Sequence, residues 1–212
     1  MVRPYPDPPW EMHGMGVFAP TLTPVEDIEL PPGFEPMSVA GRCAGMLAYV
    51  EYREPSPLTY HELIWMPCLV RAGGSRKARG YFVSVMYVDD TSTLAGGREI
   101  WKLPKTLARF ERTETGVTVD GEDGTHVELS FRAFGPSLPA RGRIVTLQPS
   151  QEGVVRFQGD ASSKVRAARC RVVRFESTHG PWQSFRRASM MAGAAVWQEP
   201  FRSHMQAPTL LR

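Results

Sequence analysis

Short apolar segments separated by turn residues recur along most of this chain, and this pattern constrains the fold more than any other feature. Residues 42–88 contain three strand-like segments divided by Pro- and Gly-containing turns. About six more follow residue 107, at 108–112, 117–119, 127–134, 144–147, 154–157 and 165–175. Roughly nine strands with short connections predict a mostly antiparallel sheet that curls into a barrel or cone.

Helices are expected at a few positions only. Thr23-Pro24-Val25-Glu26 has the form of a capping box and predicts a helix of about two turns. Asp89-Asp90-Thr91-Ser92 could cap a brief helix through Leu94 and Ala95. The Ala- and Met-rich segment 184–197 predicts a third helix. At the N-terminus, residues 4–9 are proline-rich and should be extended until Trp10 anchors them.

Composition indicates one domain over residues 1–212, because this length suffices for one sizeable core. A net charge of +3 with arginines spread along the chain argues against nucleic-acid binding. No apolar run approaches the ~18 residues of a membrane span, and the N-terminus lacks the apolar core of a signal peptide. The three cysteines, Cys43, Cys68 and Cys170, are widely separated, so we expect free thiols in a cytoplasmic protein.

Lysine is rare in this chain, which has four lysines (Lys77, Lys102, Lys105, Lys164) against twenty-one arginines. Lys77 lies between arginines and is expected in a solvated loop. Lys105 differs, because residues 96–110 combine a predicted glycine turn, a charged pair and a short apolar run. In extended geometry Lys105 shares a face with Leu103 and Leu107, since side chains alternate along a strand. The pattern therefore predicts an amine in a dry environment.

These residues also carry a family resemblance. Gly97-Arg98-Glu99, followed by Trp101 and then Pro104-Lys105, resembles the Gly-Arg-Glu…Pro-Lys-Lys signature of the acetoacetate decarboxylase family. In that family the first lysine of the pair forms a Schiff base with a keto acid, which implies this role for Lys105. The second lysine of the signature is Thr106 here. The resemblance further implies a cone-like β-barrel with a few flanking helices and assembly into a homo-oligomer.

A second group of candidates precedes the lysine. Tyr60-His61-Glu62 stands where the family shows Tyr-x-Glu, and the resemblance implies that Glu62 lines the pocket of the lysine. On a strand Tyr60 would share the face of Glu62, while His61 would take the other. Glu51 could supply an earlier pocket carboxylate or face solvent, and the sequence leaves both open.

Trp101 and Arg98 complete the candidate pocket residues. Arg98, with Glu99, could instead form an ion pair or clamp that holds the turn before Lys105, and this structural role is the favoured one. No second His or Cys stands at ligand spacing from His13 or His61, so we expect no metal, and no cofactor is expected.

The leading hypothesis is a Schiff-base-forming lyase that decarboxylates a small keto acid through Lys105. A protonated imine withdraws electrons equally well for aldol addition or dehydration. An aldolase-dehydratase acting on pyruvate and an aldehyde is therefore the first alternative. The second is a non-catalytic binder of an apolar or carbonyl-bearing small molecule. It draws on the Pro8-Pro9-Trp10…Gly14 opening, which resembles members of the superfamily that lack the lysine.

Overall fold

The computed structural model describes residues 4–73 and 78–211, in which fifteen strands form one mostly antiparallel sheet. Lys77 lies outside the described residues. In chain order the strands are β1 (Trp10–Pro24), β2 (Glu35–Pro36), β3 (Ser38–Val39), β4 (Arg42–Arg53), β5 (Tyr60–Met66), β6 (Cys68–Ala72), β7 (Ala78–Phe82), β8 (Val85–Val88), β9 (Lys105–Thr113), β10 (Gly116–Gly121), β11 (His126–Ser150), β12 (Gly153–Glu176), β13 (Ser189–Met190), β14 (Val196–Met205) and β15 (Thr209–Leu211).

Nine of these strands pair in a closed ring. The order is β14-β1-β4-β5-β8-β9-β10-β11-β12, and β12 pairs with β14 to return to the start. Within this ring only β8 and β9 run parallel to each other. The mostly β, cone-like architecture expected from the segment pattern is therefore confirmed. Two strands of the ring, β1 and β14, were not predicted as strands.

The central strands are buried on both faces, so they form a wall between two apolar regions. On β5, Leu63 and Trp65 belong to a cluster completed by aromatic residues that include Trp182. The alternate residues Ile64 and Met66 belong to a second cluster. Because side chains alternate along a strand, one sheet serves both regions. The second region contains the cavity described below.

A long hairpin joins the last parts of the ring. β11 and β12 have 25 and 24 residues and pair along almost their whole length. The sequence predicted two separate strands in each, because turn residues interrupt the apolar pattern. The structure accommodates the interruption as a register shift between Phe134 and Leu138, where Gly135 adopts a φ of 73°. Positive φ is readily available to glycine, so the strand bends there without ending.

In the part of the chain that the structure describes, one α-helix and two 3₁₀ helices accompany the sheet. The helix α1 (Thr91–Trp101) begins where predicted, since the Asp90 side chain accepts a hydrogen bond from the Thr93 backbone N–H at 2.8 Å. It continues beyond the predicted end at Ala95 and stops at Lys102, which adopts a left-handed conformation. The glycine turn predicted at Gly96 and Gly97 is wrong, because both residues lie inside this helix.

The two other helix predictions need correction. Thr23 belongs to β1, where it pairs with Cys43, and only the 3₁₀ helix Val25–Asp27 follows it, without a side-chain cap. The helix predicted for residues 184–197 is also wrong. There the 3₁₀ helix Gly180–Arg187 leads into β13 and β14. In both places backbone pairing with distant strands overrides the local helical signal.

The N-terminal segment is held as expected. Trp10 is buried, and its indole N–H donates to the carbonyl of Pro6 at 2.9 Å. Its ring meets that of Trp101 edge to face at 4.7 Å. The start of β1 is thereby attached to the end of α1.

Candidate active site

A cavity of about 410 Å³ lies on the second face of the central wall. Strands β1, β4, β5, β7, β8, β9, β11, β12 and β14 contribute side chains to it, together with the end of α1. Its lining is mostly aliphatic and aromatic. This volume falls within the range of ~300–1,000 Å³ that is typical of small-molecule sites.

Lys105 lies in this cavity and is almost fully buried, with 2% of its surface exposed. Its Nζ donates to Thr93 Oγ1 at 2.7 Å and lies 3.0 Å from Glu62 Oε2. It also reaches the Tyr60 hydroxyl at 3.4 Å and stands 4.8 Å from the centre of that ring. Three side chains, two from β5 and one from the first turn of α1, therefore meet at one amine.

Burial lowers the pKa of Lys105, because a charged ammonium loses its hydration in an apolar cavity. The carboxylate of Glu62 opposes this effect, since it stabilises the charged form. The direction of the shift increases the fraction of neutral amine at neutral pH. A lysine with the ordinary pKa of ~10.4 would be less than ~0.1% neutral at pH 7.

The Tyr52 hydroxyl donates to Glu62 Oε1 at 3.4 Å, so this carboxylate contacts both Lys105 and a phenol. Burial raises the pKa of Tyr52 and of Tyr60 well above the usual value, and the nearby Glu62 charge adds to the effect. Both phenols therefore remain protonated hydrogen-bond donors. The site contains a buried amine, a carboxylate and two hydroxyls that can move or hold protons.

The segment around Lys105 is positioned by the preceding helix. A Cβ placed on Gly97 would lie 2.5 Å from Cδ and 2.6 Å from Cε of Lys105. Real Cβ contacts are almost never shorter than 3.0 Å, so the lysine side chain passes over α1 where glycine leaves room for it. Gly97 is thus required for close packing within the helix.

Arg98 lies outside the cavity, which corrects its assignment as a pocket residue. Its Nε donates to the backbone carbonyl of Lys105 at 2.7 Å. Arg98 thus ties α1 to the first residue of β9, consistent with the structural role favoured from the sequence. Glu99, its neighbour, accepts a hydrogen bond from the hydroxyl of Tyr5.

Glu51 also lies outside the cavity, so its placement in the pocket is corrected too. Strand pairing sets Val50 opposite Glu62 and Glu51 opposite His61. Because neighbours on a strand point to opposite faces, Glu51 shares the face of His61. There it forms an ion pair with Arg53 at 2.7 Å.

The other candidates do line the cavity. Tyr60, Glu62 and Lys105 meet as described, and Trp101 contributes part of the wall, where its indole N–H donates to the carbonyl of Gln206 at 2.9 Å. Thr93 and Tyr52 were missed. In the sequence, only its position in the first helical turn after Asp90 pointed to Thr93. Tyr52 is two residues from Val50 and therefore lies on the same face of β4, the face that meets Glu62 and Tyr60.

In the described part of the chain, no group of three or more His, Cys, Asp or Glu residues is arranged to hold a metal ion. Nor does any helix in residues 4–73 and 78–211 combine the length and the apolar character that crossing a bilayer would require.

The family model described as acetoacetate decarboxylase matches residues 12–182, which include the whole Lys105 cluster. The chain belongs to the acetoacetate decarboxylase family. The match extends over most of the sequence, well beyond the residues that carry the motif resemblance. Among curated proteins, none shows significant sequence similarity to the chain.

Solved structures share the fold at low sequence identity. An acetoacetate decarboxylase-like enzyme from Sphingomonas wittichii RW1 is 15% identical with a TM-score of 0.67, covering 99% of this chain and 95% of its own. Acetoacetate decarboxylase from Legionella pneumophila is 14% identical with a TM-score of 0.65, covering 100% and 90%. The enduracididine biosynthesis enzyme MppR, in complex with pyruvate, is 14% identical with a TM-score of 0.66, covering 98% and 91%.

Thr106 replaces the second lysine of the family signature. It pairs with Tyr87 across the parallel β8–β9 ladder and is not among the described residues that line the cavity. No second ammonium therefore stands beside Lys105 at this position.

Proposed function

We propose that this protein is a Schiff-base-forming lyase that acts on a small keto acid through Lys105. The observation that carries the proposal is the burial of Lys105 Nζ in a cavity, 3.0 Å from Glu62 and 2.7 Å from Thr93. A lysine confined in an apolar cavity has few structural uses, and its lowered pKa supports nucleophilic chemistry.

In the first step, the neutral amine attacks the carbonyl carbon and forms a C–N bond. The carbonyl oxygen takes up protons and leaves as water, which produces a protonated imine. Glu62 lies close enough to Nζ to exchange these protons, and the Tyr60 hydroxyl is also within reach.

In the second step, for a 3-keto acid such as acetoacetate, the C–C bond to the carboxylate breaks and its electron pair moves through the adjacent carbon to the iminium nitrogen. Carbon dioxide leaves and an enamine remains. Protonation of the enamine carbon and hydrolysis of the imine then release the product and regenerate Lys105. Burial provides the activation, so the mechanism does not require a second lysine at position 106.

The test is reduction with borohydride in the presence of acetoacetate, followed by intact mass and peptide mapping. We expect one adduct, on Lys105, and its loss in Lys105→Arg, since arginine keeps the charge and forms no imine. Lys102→Arg and Lys164→Arg are matched controls, because both lysines are exposed and should leave the adduct unchanged. Adducts spread equally over these lysines would contradict the proposal.

An aldolase-dehydratase is the second candidate function. It is favoured by the structural likeness to MppR, which has been determined with the condensation product of pyruvate and imidazole 4-carboxaldehyde. Release of carbon dioxide from acetoacetate supports the first candidate, and a new product from pyruvate plus an aldehyde supports the second. If the protein binds these compounds but catalyses neither reaction and forms no reducible adduct, a non-catalytic binding protein becomes the supported function.

Assembly and location belong to the same proposal. Phe134, Leu138 and Val173 are exposed apolar side chains of the long β11–β12 hairpin, and they support association into a homo-oligomer. Cys43, Cys68 and Cys170 are free, which supports a reducing cytoplasmic environment.

A further inference from the structure

The charged groups of the cavity are already compensated. Among the described residues that line it, three have acidic or basic side chains, namely Glu62, Lys105 and Arg143. Glu62 lies 3.0 Å from Lys105, so a positive charge on the amine would already have its counter-ion. Arg143 has a side chain that is 62% exposed, and it forms an ion pair with Asp160 at 2.6 Å. A small keto acid inside this cavity would therefore lack a free buried cation for its carboxylate, which is costly to desolvate.

Strand register gives the cavity two chemically different ends. Along the β4–β5 pair, Tyr52 stands opposite Tyr60, and six residues further on Met46 stands opposite Met66. On β5, Glu62, Ile64 and Met66 all line the cavity. At about 3.3 Å per residue, Met66 lies roughly 13 Å along the strand from Glu62. Glu62 thus lies at one end of this row, and the rest of the lining is mostly apolar, with Thr146, Gln198 and Ser203 among its polar members.

Strand β1 extends the apolar end. Phe18 pairs with Ala48 and Pro20 pairs with Met46, and both Phe18 and Pro20 line the cavity. Methionine side chains such as Met46 and Met66 adapt to different apolar shapes. Since a liquid water takes about 30 Å³, the cavity of about 410 Å³ has room for roughly a dozen heavy atoms, about twice the size of acetoacetate.

We infer that the carbonyl compound attacked by Lys105 carries an extended apolar chain or ring, which lies along Ile64 and Met66 while its carbonyl group faces Glu62. The inference rests on the proposed function and narrows it to a keto acid that bears such an apolar tail. Apolar ketones form the same imine with Lys105, so they serve as probes of the tail. The covalent step is the imine formation already described. It adds no reactant.

The test is borohydride trapping of the full-length protein with 2-butanone, 2-hexanone, 2-octanone and pyruvate, each titrated separately. We expect the half-saturating concentration to fall about fourfold for each added methylene, which corresponds to ~0.8 kcal/mol of transfer free energy. Pyruvate should be trapped more weakly than 2-octanone. Equal trapping along the ketone series, or a preference for pyruvate, would overturn the inference.

A variant pair locates the effect. Met66→Gln puts a polar amide of similar length at the apolar end and should reduce the preference for 2-octanone over 2-butanone by at least tenfold. Met191→Gln changes an exposed methionine and should preserve the preference. Melting temperatures of both variants report on folding. An unchanged preference in a folded Met66→Gln protein would refute the placement of the tail.

The design separates failure of this inference from failure of the proposed function. If every carbonyl compound is trapped efficiently and chain length has no effect, the imine at Lys105 is supported and the inference of an apolar tail is refuted. If nothing is reduced, the imine fails, and displacement of the apolar dye N-phenyl-1-naphthylamine reports on the cavity alone. Equal displacement by 2-butanone and 2-octanone would then overturn the tail preference as well.

Discussion

Replacing Gly97 by Ala tests whether the position of the Lys105 side chain depends on the packing of α1. The added methyl group would stand 2.5 Å from Cδ of Lys105, whereas carbon atoms prefer separations of about 3.5–4.0 Å. Lys105 is buried and held at Nζ by Thr93 and Glu62, so relief of the overlap requires the side chain to move by roughly 1 Å.

The expected effect on function is large and the effect on stability is small. Displacement of a reacting group by 1 Å lowers the reaction rate about a hundredfold, so we expect imine trapping to slow by about that factor. Alanine favours a helix over glycine by about 1 kcal/mol, which offsets part of the ~1–3 kcal/mol cost of the overlap. The melting temperature should therefore change little.

The assay is the rate of borohydride trapping under single-turnover conditions, with thermal melting of the same samples. Gly96→Ala is a matched control in the same helix. Its Cβ would meet Trp10 at 2.8 Å, so it should lower stability without displacing Lys105. A trapping rate for Gly97→Ala within threefold of the wild type, in a folded protein, would refute the packing argument.

Four further outcomes are expected. Trapping should increase with pH through the lowered pKa of Lys105, because only the neutral amine attacks, and level off below the ordinary value of ~10.4; a rate that still climbs at pH 10 would show an unperturbed amine. Glu62→Gln should reduce turnover by about 10²–10⁴-fold while the melting temperature changes modestly, whereas a parallel loss of both would make Glu62 structural. Thr93→Val removes the 2.7 Å acceptor of Lys105 but keeps the backbone N–H that Asp90 caps, so turnover should fall about tenfold with the helix content by circular dichroism intact. Leu138→Lys should weaken self-association in light scattering at micromolar concentration, and a wild-type monomer there would contradict the oligomer proposal.

Local chemistry in the sequence predicted several features correctly. Asp90 caps α1 through an interaction between residues three apart, so the start of the helix follows from its immediate neighbours. Alternation of apolar residues likewise indicates most strands of the ring, because the period of two is a property of each strand alone. The family follows from a motif of adjacent residues around Lys105.

Several other features depend on contacts between distant residues. β1 and β14 became strands because their backbones complete ladders with β4 and β12, and neither segment alternates clearly enough to show this locally. Glu51 is excluded from the cavity by the register that sets Val50 opposite Glu62, and the sequence of β4 leaves this register open.

The packing around Lys105 also depends on the tertiary structure. Gly97 occurs in a sequence that is typical of a turn, yet it lies in a helix where the Lys105 side chain crosses it. Thr93 reaches Nζ only because α1 folds back on β9. The sequence therefore determined which residue could act as the amine, whereas the environment that lowers its pKa arises from strands and a helix that meet only in the folded chain.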